Sequence, residues 1–146
     1  MSGLADIGVK VEPGDLAWGN ALPILHEVRH ALARLVAEGE PTVIDLQSIP
    51  MGPGDDKRLL AGLGEGEIQA ELQALGKSVV RECKYPGVWL VEHYNTNDEV
   101  GARFIEITWI PSILRSQEED VSAGLAAFTE WLEEQGAQSS GSEDEK

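Results

Sequence analysis

The chain has 146 residues, enough for one compact domain with a real core and too few for two full ones. Hydrophobic residues make up 42% and charged residues 25%, the balance of a globular protein, and no run of about 18 apolar residues could span a bilayer. A formal net charge of −15 speaks against nucleic acid, whose phosphates are gripped by Lys and Arg, and matches a basic partner segment; the plainer reading is that acidity keeps the chain dissolved.

The opening residues, Met1 to Asp6, show no basic, apolar or twin-arginine export signal, so the expected compartment is the cytoplasm. Residues 1–19 lack periodicity and contain Pro13-Gly14-Asp15, which predicts an extended arm. Asn20 is placed to cap a helix that runs to about Glu38 and stops at Gly39. Leu25, Val28, Leu32, Leu35 and Val36 form its predicted buried stripe. Thr42 to Leu46 is a short strand, and Ile49 to Gly54 is a loop. Asp55 to Gly62 is a short helix with Leu59 and Leu60 inward.

Four more strands follow. Gly66 to Leu72 alternates, with Ile68, Ala70 and Leu72 on one face and Glu67, Gln69 and Glu71 on the other. Lys77 to Lys84 and Val88 to Tyr94 flank the turn Tyr85-Pro86-Gly87, and Ala102 to Trp109 follows the polar turn Asn95 to Asp98. Ser116 and Glu119 have capping-box spacing and open a last helix, striped by Val121, Leu125, Phe128 and Leu132. From Gly136 the composition is Ser, Gly, Gln and acid, which predicts a disordered acidic tail over 136–146. Helix, strand, helix, four strands, helix is the order of an α+β domain over 20–135: a mainly antiparallel sheet of about five strands with helices packed on one face.

Several strings invite chemistry. His26-Glu27-Val28-Arg29-His30 matches the H-E-x-x-H pattern of zinc hydrolases, in which two histidines one turn apart hold a metal and the Glu polarises its water. On a wheel of about 100° per residue, though, both histidines fall opposite the apolar stripe, toward water. The third histidine, His93, sits on a distant strand, so a zinc-dependent hydrolase is the alternative reading and an exposed polar helix face the plainer one. Gly62-Leu63-Gly64-Glu65-Gly66-Glu67 looks like a phosphate loop, but a helix precedes it, a strand follows, and two carboxylates stand where phosphate would go. Its glycines read better as a helix end and a tight strand entry.

Cys83 is the single cysteine, which excludes an intrachain disulfide and an all-cysteine metal cage. Pairing it with His93 fails on register, by about three residues or about 10 Å along a hairpin turning at Pro86-Gly87. Redox or metal handling by Cys83 would require an exposed sulfur with a lowered pKa. Trp89, after that turn, is either a core residue or an aromatic anchor for a partner. Glu106 shares a strand face with Phe104 and Thr108, so it lies at a sheet margin or is hydrogen-bonded.

Taken in order, Leu63-Gly64-Glu65-Gly66-Glu67-Ile68, then Cys83 through Pro86-Gly87-Val88-Trp89 to Val91, then Ile105-Glu106-Ile107 with Ile110-Pro111, resemble the HupH/HyaF hydrogenase-expression family, also called HoxQ. Leu25-His26-Glu27, Gly39 to Leu46 and Ile49-Pro50 are similar to that family's preceding segment, and the resemblance covers roughly residues 20–125. It implies a cytoplasmic, non-catalytic accessory protein for maturation of a nickel–iron (NiFe) uptake hydrogenase, with no cofactor of its own. The partners it implies are the precursor of the iron–sulfur small subunit and a thioredoxin-like accessory protein. Longer family members carry two related halves, which leaves open whether this chain acts alone, as a homodimer or beside another chain. The expected partner-binding positions are Gly64, Glu65, Gly66, Glu67, Pro86, Gly87, Trp89 and Glu106.

Overall fold

The computed structural model describes residues 19–74 and 76–144. The predicted arm over 1–19 thus lies outside the described residues except for Gly19, which is in a turn. The chain divides into two compact units at Pro111 and Ser112.

In the first unit, helix α1 spans Ala21–Glu38 and buries Ala21, Ile24, Val28, Ala31 and Leu35. Those positions recur every three or four residues, the spacing of one helical face. Leu25 and Leu32 pack against the core from its edge, whereas Val36 is 79% exposed, because it falls one residue past Leu35 and faces away. Gly39 ends the helix with φ 71°, its amide donating to the Leu35 carbonyl at 2.9 Å. At the other end Asn20 does not cap with its side chain. Its amide group donates to the Pro50 carbonyl, and its backbone N–H donates to Asp55 Oδ2 at 3.2 Å.

Strand β1 is Thr42–Asp45, followed by a 3-10 turn at Leu46–Ser48, and helix α2 is Asp55–Leu63. Asp55 and Asp56 in the first turn of α2 favour the positive end of its dipole. Leu59 and Leu63 are buried, while Leu60 is 37% exposed. Strands β2 (Gln69–Ala74), β3 (Gly76–Glu82), β4 (Val88–Tyr94) and β5 (Val100–Ile107) then make an antiparallel meander. β1 joins it outside β5, giving the order β1-β5-β4-β3-β2. The two strands that flank α2 in sequence therefore occupy opposite edges of one sheet, and the β1–α2–β2 connection crosses its full width. The alternating stretch forecast from Gly66 pairs as strand only from Gln69, and residues 64–68 form a loop.

Register decides which side chains meet α1 and α2. Val88 pairs with Ile107, Leu90 with Ile105, and Ile44 with Ile105. With Cys83 these residues and the α1 and α2 stripes form the core. Burying each Leu, Ile or Val contributes roughly 1.5–3 kcal/mol. The next row along that face is charged, with Glu92 opposite Arg103 on one side and Val79 on the other. The opposite face carries Val80, Trp89 and Val91, all buried. Burial on both faces explains why β4 is buried continuously from Val88 to Glu92 and shows no alternation.

The second unit holds a 3-10 turn at Ser112–Leu114 and a long helix α3, Glu118–Asp144. The helix begins after the forecast Ser116 cap, with the Val121 amide donating to the Gln117 carbonyl at 3.0 Å. It also runs through Gly136 to Asp144, where a disordered tail was expected. Its stripe residues Val121, Leu125, Phe128 and Leu132 are between 51% and 67% exposed. Among the described residues, no helix is long and apolar enough to cross a membrane.

Candidate functional site

A cleft of about 250 Å³ opens beside the end of α2, on the helix-covered face of the sheet. Its walls are Leu60 and Leu63 of α2, the loop Gly64 to Ile68, and Arg81 and Cys83, with Leu90 behind. The loop follows β3 closely: Gly66 N donates to Glu82 O at 2.8 Å, Glu82 N to Ile68 O at 2.8 Å, and Lys84 N to Leu63 O at 2.9 Å. Such an approach leaves no space for side chains at the glycines. Gly64 has φ 68°, and a Cβ there would lie 2.7 Å from Lys84 Cβ; at Gly66 it would lie 2.5 Å from the Cys83 carbonyl oxygen. The alternation of Gly with Glu thus seats the backbone while Glu65 and Glu67 remain exposed at the mouth. Glu82 lines the same cleft and accepts from the Glu67 amide at 3.3 Å. Three carboxylates against Arg81 make this a rim suited to cationic groups.

The eight expected partner-binding positions do not form one site. Gly64, Glu65, Gly66 and Glu67 line the cleft together. Pro86 and Gly87 turn the chain between β3 and β4, and Gly87, at φ 92°, packs under Leu32 and Leu35 of α1. Trp89 pairs with Glu82 in the ladder, on the sheet face away from α1 and α2, and is only 5% exposed, with its indole N–H donating to the Thr108 carbonyl at 3.1 Å. It is a core residue here, as its apolar body and satisfied N–H allow, and not a projecting anchor. Glu106 pairs with Trp89 on that same face, and partial burial raises its pKa above 4.5 against a smaller lowering by His93. Arg81, Glu82 and Cys83 belong to the cleft although the sequence did not single them out together; the tight Gly-Glu alternation, which demands a close neighbour strand, was the available signal.

The histidines of the first helix are both exposed, and His30 Nε2 lies 3.3 Å from the Arg29 guanidinium. Among the described residues no group of three or more His, Cys, Asp and Glu side chains is arranged to hold a metal ion. His93 meets Ser78 Oγ through Nδ1 at 2.7 Å, on the sheet face opposite Cys83. Cys83 is 3% exposed, and burial, reinforced by Glu82 and opposed by Arg81, pushes its thiol up to about 11. It therefore lacks the lowered pKa and open sulfur that redox or metal handling requires.

Residues 19–135 match the family model described as "HupH hydrogenase expression protein, C-terminal conserved region". The chain is 30% identical over 112 residues to hydrogenase expression/formation protein HoxQ of Azotobacter vinelandii, covering 74% of this chain and 40% of that protein. It is 33% identical over 102 residues to HupH of Rhizobium leguminosarum bv. viciae, covering 69% of this chain and 36% of that one. The chain thus spans about two fifths of the length of the curated relatives it matches. Its fold is similar to the solved structure of hydrogenase expression protein HupH from Thiobacillus denitrificans ATCC 25259, with a TM-score of 0.76 at 39% identity over 80% of this chain and 97% of that one. With the sheet order, the Gly-Glu loop and the Pro-Gly turn in place, these likenesses show that the chain belongs to the HupH hydrogenase expression protein family, in its C-terminal conserved region.

Proposed function

We propose that this chain is a non-catalytic accessory protein for maturation of a nickel–iron uptake hydrogenase, one that holds the precursor of the iron–sulfur small subunit during assembly. Relatives carrying the name hydrogenase expression/formation protein support the process. The observation that carries the binding role is the cleft beside α2, where Glu65, Glu67 and Glu82 surround a half-apolar hollow. Such a rim attracts a cationic segment at long range, and Leu60 and Leu63 give it an apolar floor to bury against. A thioredoxin-like accessory protein is the second partner in this reading, and the setting is cytoplasmic.

Capture of the tagged small-subunit precursor by the full chain tests it. Glu65→Lys with Glu67→Lys changes only exposed side chains, so the fold persists and recovery of the precursor should fall sharply and become insensitive to salt. Recovery equal to that of the parent chain sinks the binding surface. Failure to recover the precursor with the parent chain, in extracts that contain the other accessory proteins, sinks the holding role itself.

A further inference from the structure

Helix α3 combines two features that its own unit does not use. Along it Val121, Leu125, Phe128 and Leu132 lie on one side, with Trp131 beside them, and every one is at least 51% exposed. Phe128 and Trp131 stack with centroids 6.2 Å apart and ring planes 21° from parallel. Together they line one side of the helix with exposed apolar surface, the kind of patch through which proteins bind one another.

The charge pattern says what kind of surface covers it. From Glu118 to Asp144 the helix carries Glu118, Glu119, Asp120, Glu130, Glu133, Glu134, Glu143 and Asp144, with no Lys, Arg or His. Glu118, Glu119 and Asp120 suit the dipole of the helix N-terminus. Glu130 with Glu133 and Glu134 has no such excuse, since like charges three and four residues apart oppose the helix they sit on. Gly124 and Gly136 weaken it further. The helix supplies no cation of its own to offset these charges. On a wheel of about 100° per residue, Glu118 and Asp120 border the stripe on either side at its start, and Glu133 borders it near its end. A second copy of this chain would bring the same acids against them, whereas a cationic amphipathic helix would bury the stripe and pair the acids at once.

We infer that α3 is a docking helix for a cationic amphipathic segment of another protein, with Leu125, Phe128 and Trp131 as apolar anchors and the flanking carboxylates as its charge partners. The inference concerns a different element from the cleft beside α2 and stands apart from the hydrogenase reading.

The test uses the full chain and synthetic amphipathic helices of about 18 residues, identical in their Leu stripe and flanked by Lys, by Gln or by Glu. The Lys peptide should bind saturably, with the Gln peptide weaker by about tenfold or more and the Glu peptide not binding. Leu125→Asn with Phe128→Asn, both at exposed positions and leaving all carboxylates in place, should abolish binding of the Lys peptide, with unchanged helix content by circular dichroism. Equal binding of the three peptides overturns the inference, as does Lys-peptide binding that survives the double substitution. Light scattering decides the remaining case: a dimer of the parent chain that the double substitution dissociates assigns the stripe to a second copy and overturns the proposal too.

Discussion

Arg103 donates to Glu92 Oε2 through Nε at 2.9 Å and approaches the same oxygen through Nη2 at 2.9 Å, while the Glu92 side chain is only 6% exposed. Glu92 Oε1 faces Arg81 at 3.7 Å, and Arg103 reaches Asp56 of α2 at 3.8 Å. The cluster ties β4 and β5 to the helix layer where the apolar rows end. Arg103→Met removes both close donors to Glu92 Oε2 and leaves the buried carboxylate with Arg81 at 3.7 Å, so it should cost about 1.5–3 kcal/mol in chemical denaturation. Arg103→Met with Glu92→Leu removes both charges and should recover most of that loss. A double variant as unstable as the single one would show that packing around Arg103, not the carboxylate's lost hydrogen bonds, sets the cost.

Asp55 makes a second buried polar knot. Its Oδ2 accepts from the amides of Gly52 at 2.7 Å and Asn20 at 3.2 Å, which staples the start of α1 to the loop before α2, and its Oδ1 has no hydrogen-bond partner among the described residues. Asp55→Ala should lower stability by about 1–3 kcal/mol by stranding those donors. Amide hydrogen exchange is expected to accelerate at Gly52 and Asn20 ahead of the sheet. Uniform acceleration throughout the first unit would mean that the knot holds the whole fold instead of one joint.

Two glycines should respond in opposite directions. A Cβ at Gly66 would press on the Cys83 carbonyl oxygen at 2.5 Å, and backbone cannot swing aside as a side-chain tip can. Gly66→Ala should therefore cost about 1–3 kcal/mol and loosen the cleft. A Cβ added at Gly136, inside α3, would meet nothing within 4 Å beyond the helix's own backbone, so Gly136→Ala should favour helix by about 0.5–1 kcal/mol, read as a gain in helical circular dichroism on heating.

Strand and helix positions were legible wherever one physical signal dominated. Gly39 stops α1 because a left-handed residue was needed there, and Val88 to Tyr94 was bounded by its turns on both sides. What failed to show was anything set by long-range pairing. Trp89 could have faced either side of the sheet until the pairing with Glu106 and the bond to Thr108 put it inside. The Gly-Glu alternation from Gly64 to Glu67 imitates a two-residue strand period, yet its glycines serve backbone contact with β3, so pairing begins only at Gln69. Apolar spacing found the stripe of α3 but could not say whether a neighbour covers it. Four of the expected partner positions, Gly64 to Glu67, do gather at one cleft, because adjacent residues in a loop need no tertiary information to be neighbours.

Cys83 gives a pH dependence with a definite sign. Its thiol is raised from 9.0 to about 11 in the folded chain, chiefly by burial. Below pH 9 both folded and unfolded forms are protonated and the thiol has no effect on stability relative to that reference. Between pH 9 and about 11 the unfolded thiol ionises while the folded one does not, so stability falls by up to about 3 kcal/mol across that window. Cys83→Ala should flatten this alkaline limb while lowering stability at pH 7 through the cavity it leaves. At pH 8 alkylation by iodoacetamide should be slow in the native chain and fast in denaturant; native alkylation at the rate of a free thiol would falsify the buried assignment.

Glu106 should act in the acidic range, by the same reasoning and through different neighbours. Burial raises its carboxyl above 4.5, and His93 on the same sheet face only partly offsets the rise. The folded chain therefore holds this proton at pH values where the unfolded chain has released it. As pH climbs from 4.5 through the raised folded value, stability attributable to Glu106 declines, and it stays reduced at neutral pH. Glu106→Gln keeps the shape and removes the ionisation, so its denaturation midpoint at pH 7 should exceed that of the parent, with the difference shrinking as pH falls toward 4. His93→Phe should widen the parent's decline, because the group that favours the carboxylate is gone. A Gln variant less stable than the parent at pH 7 would mean that the charged carboxylate makes a favourable contact on that face.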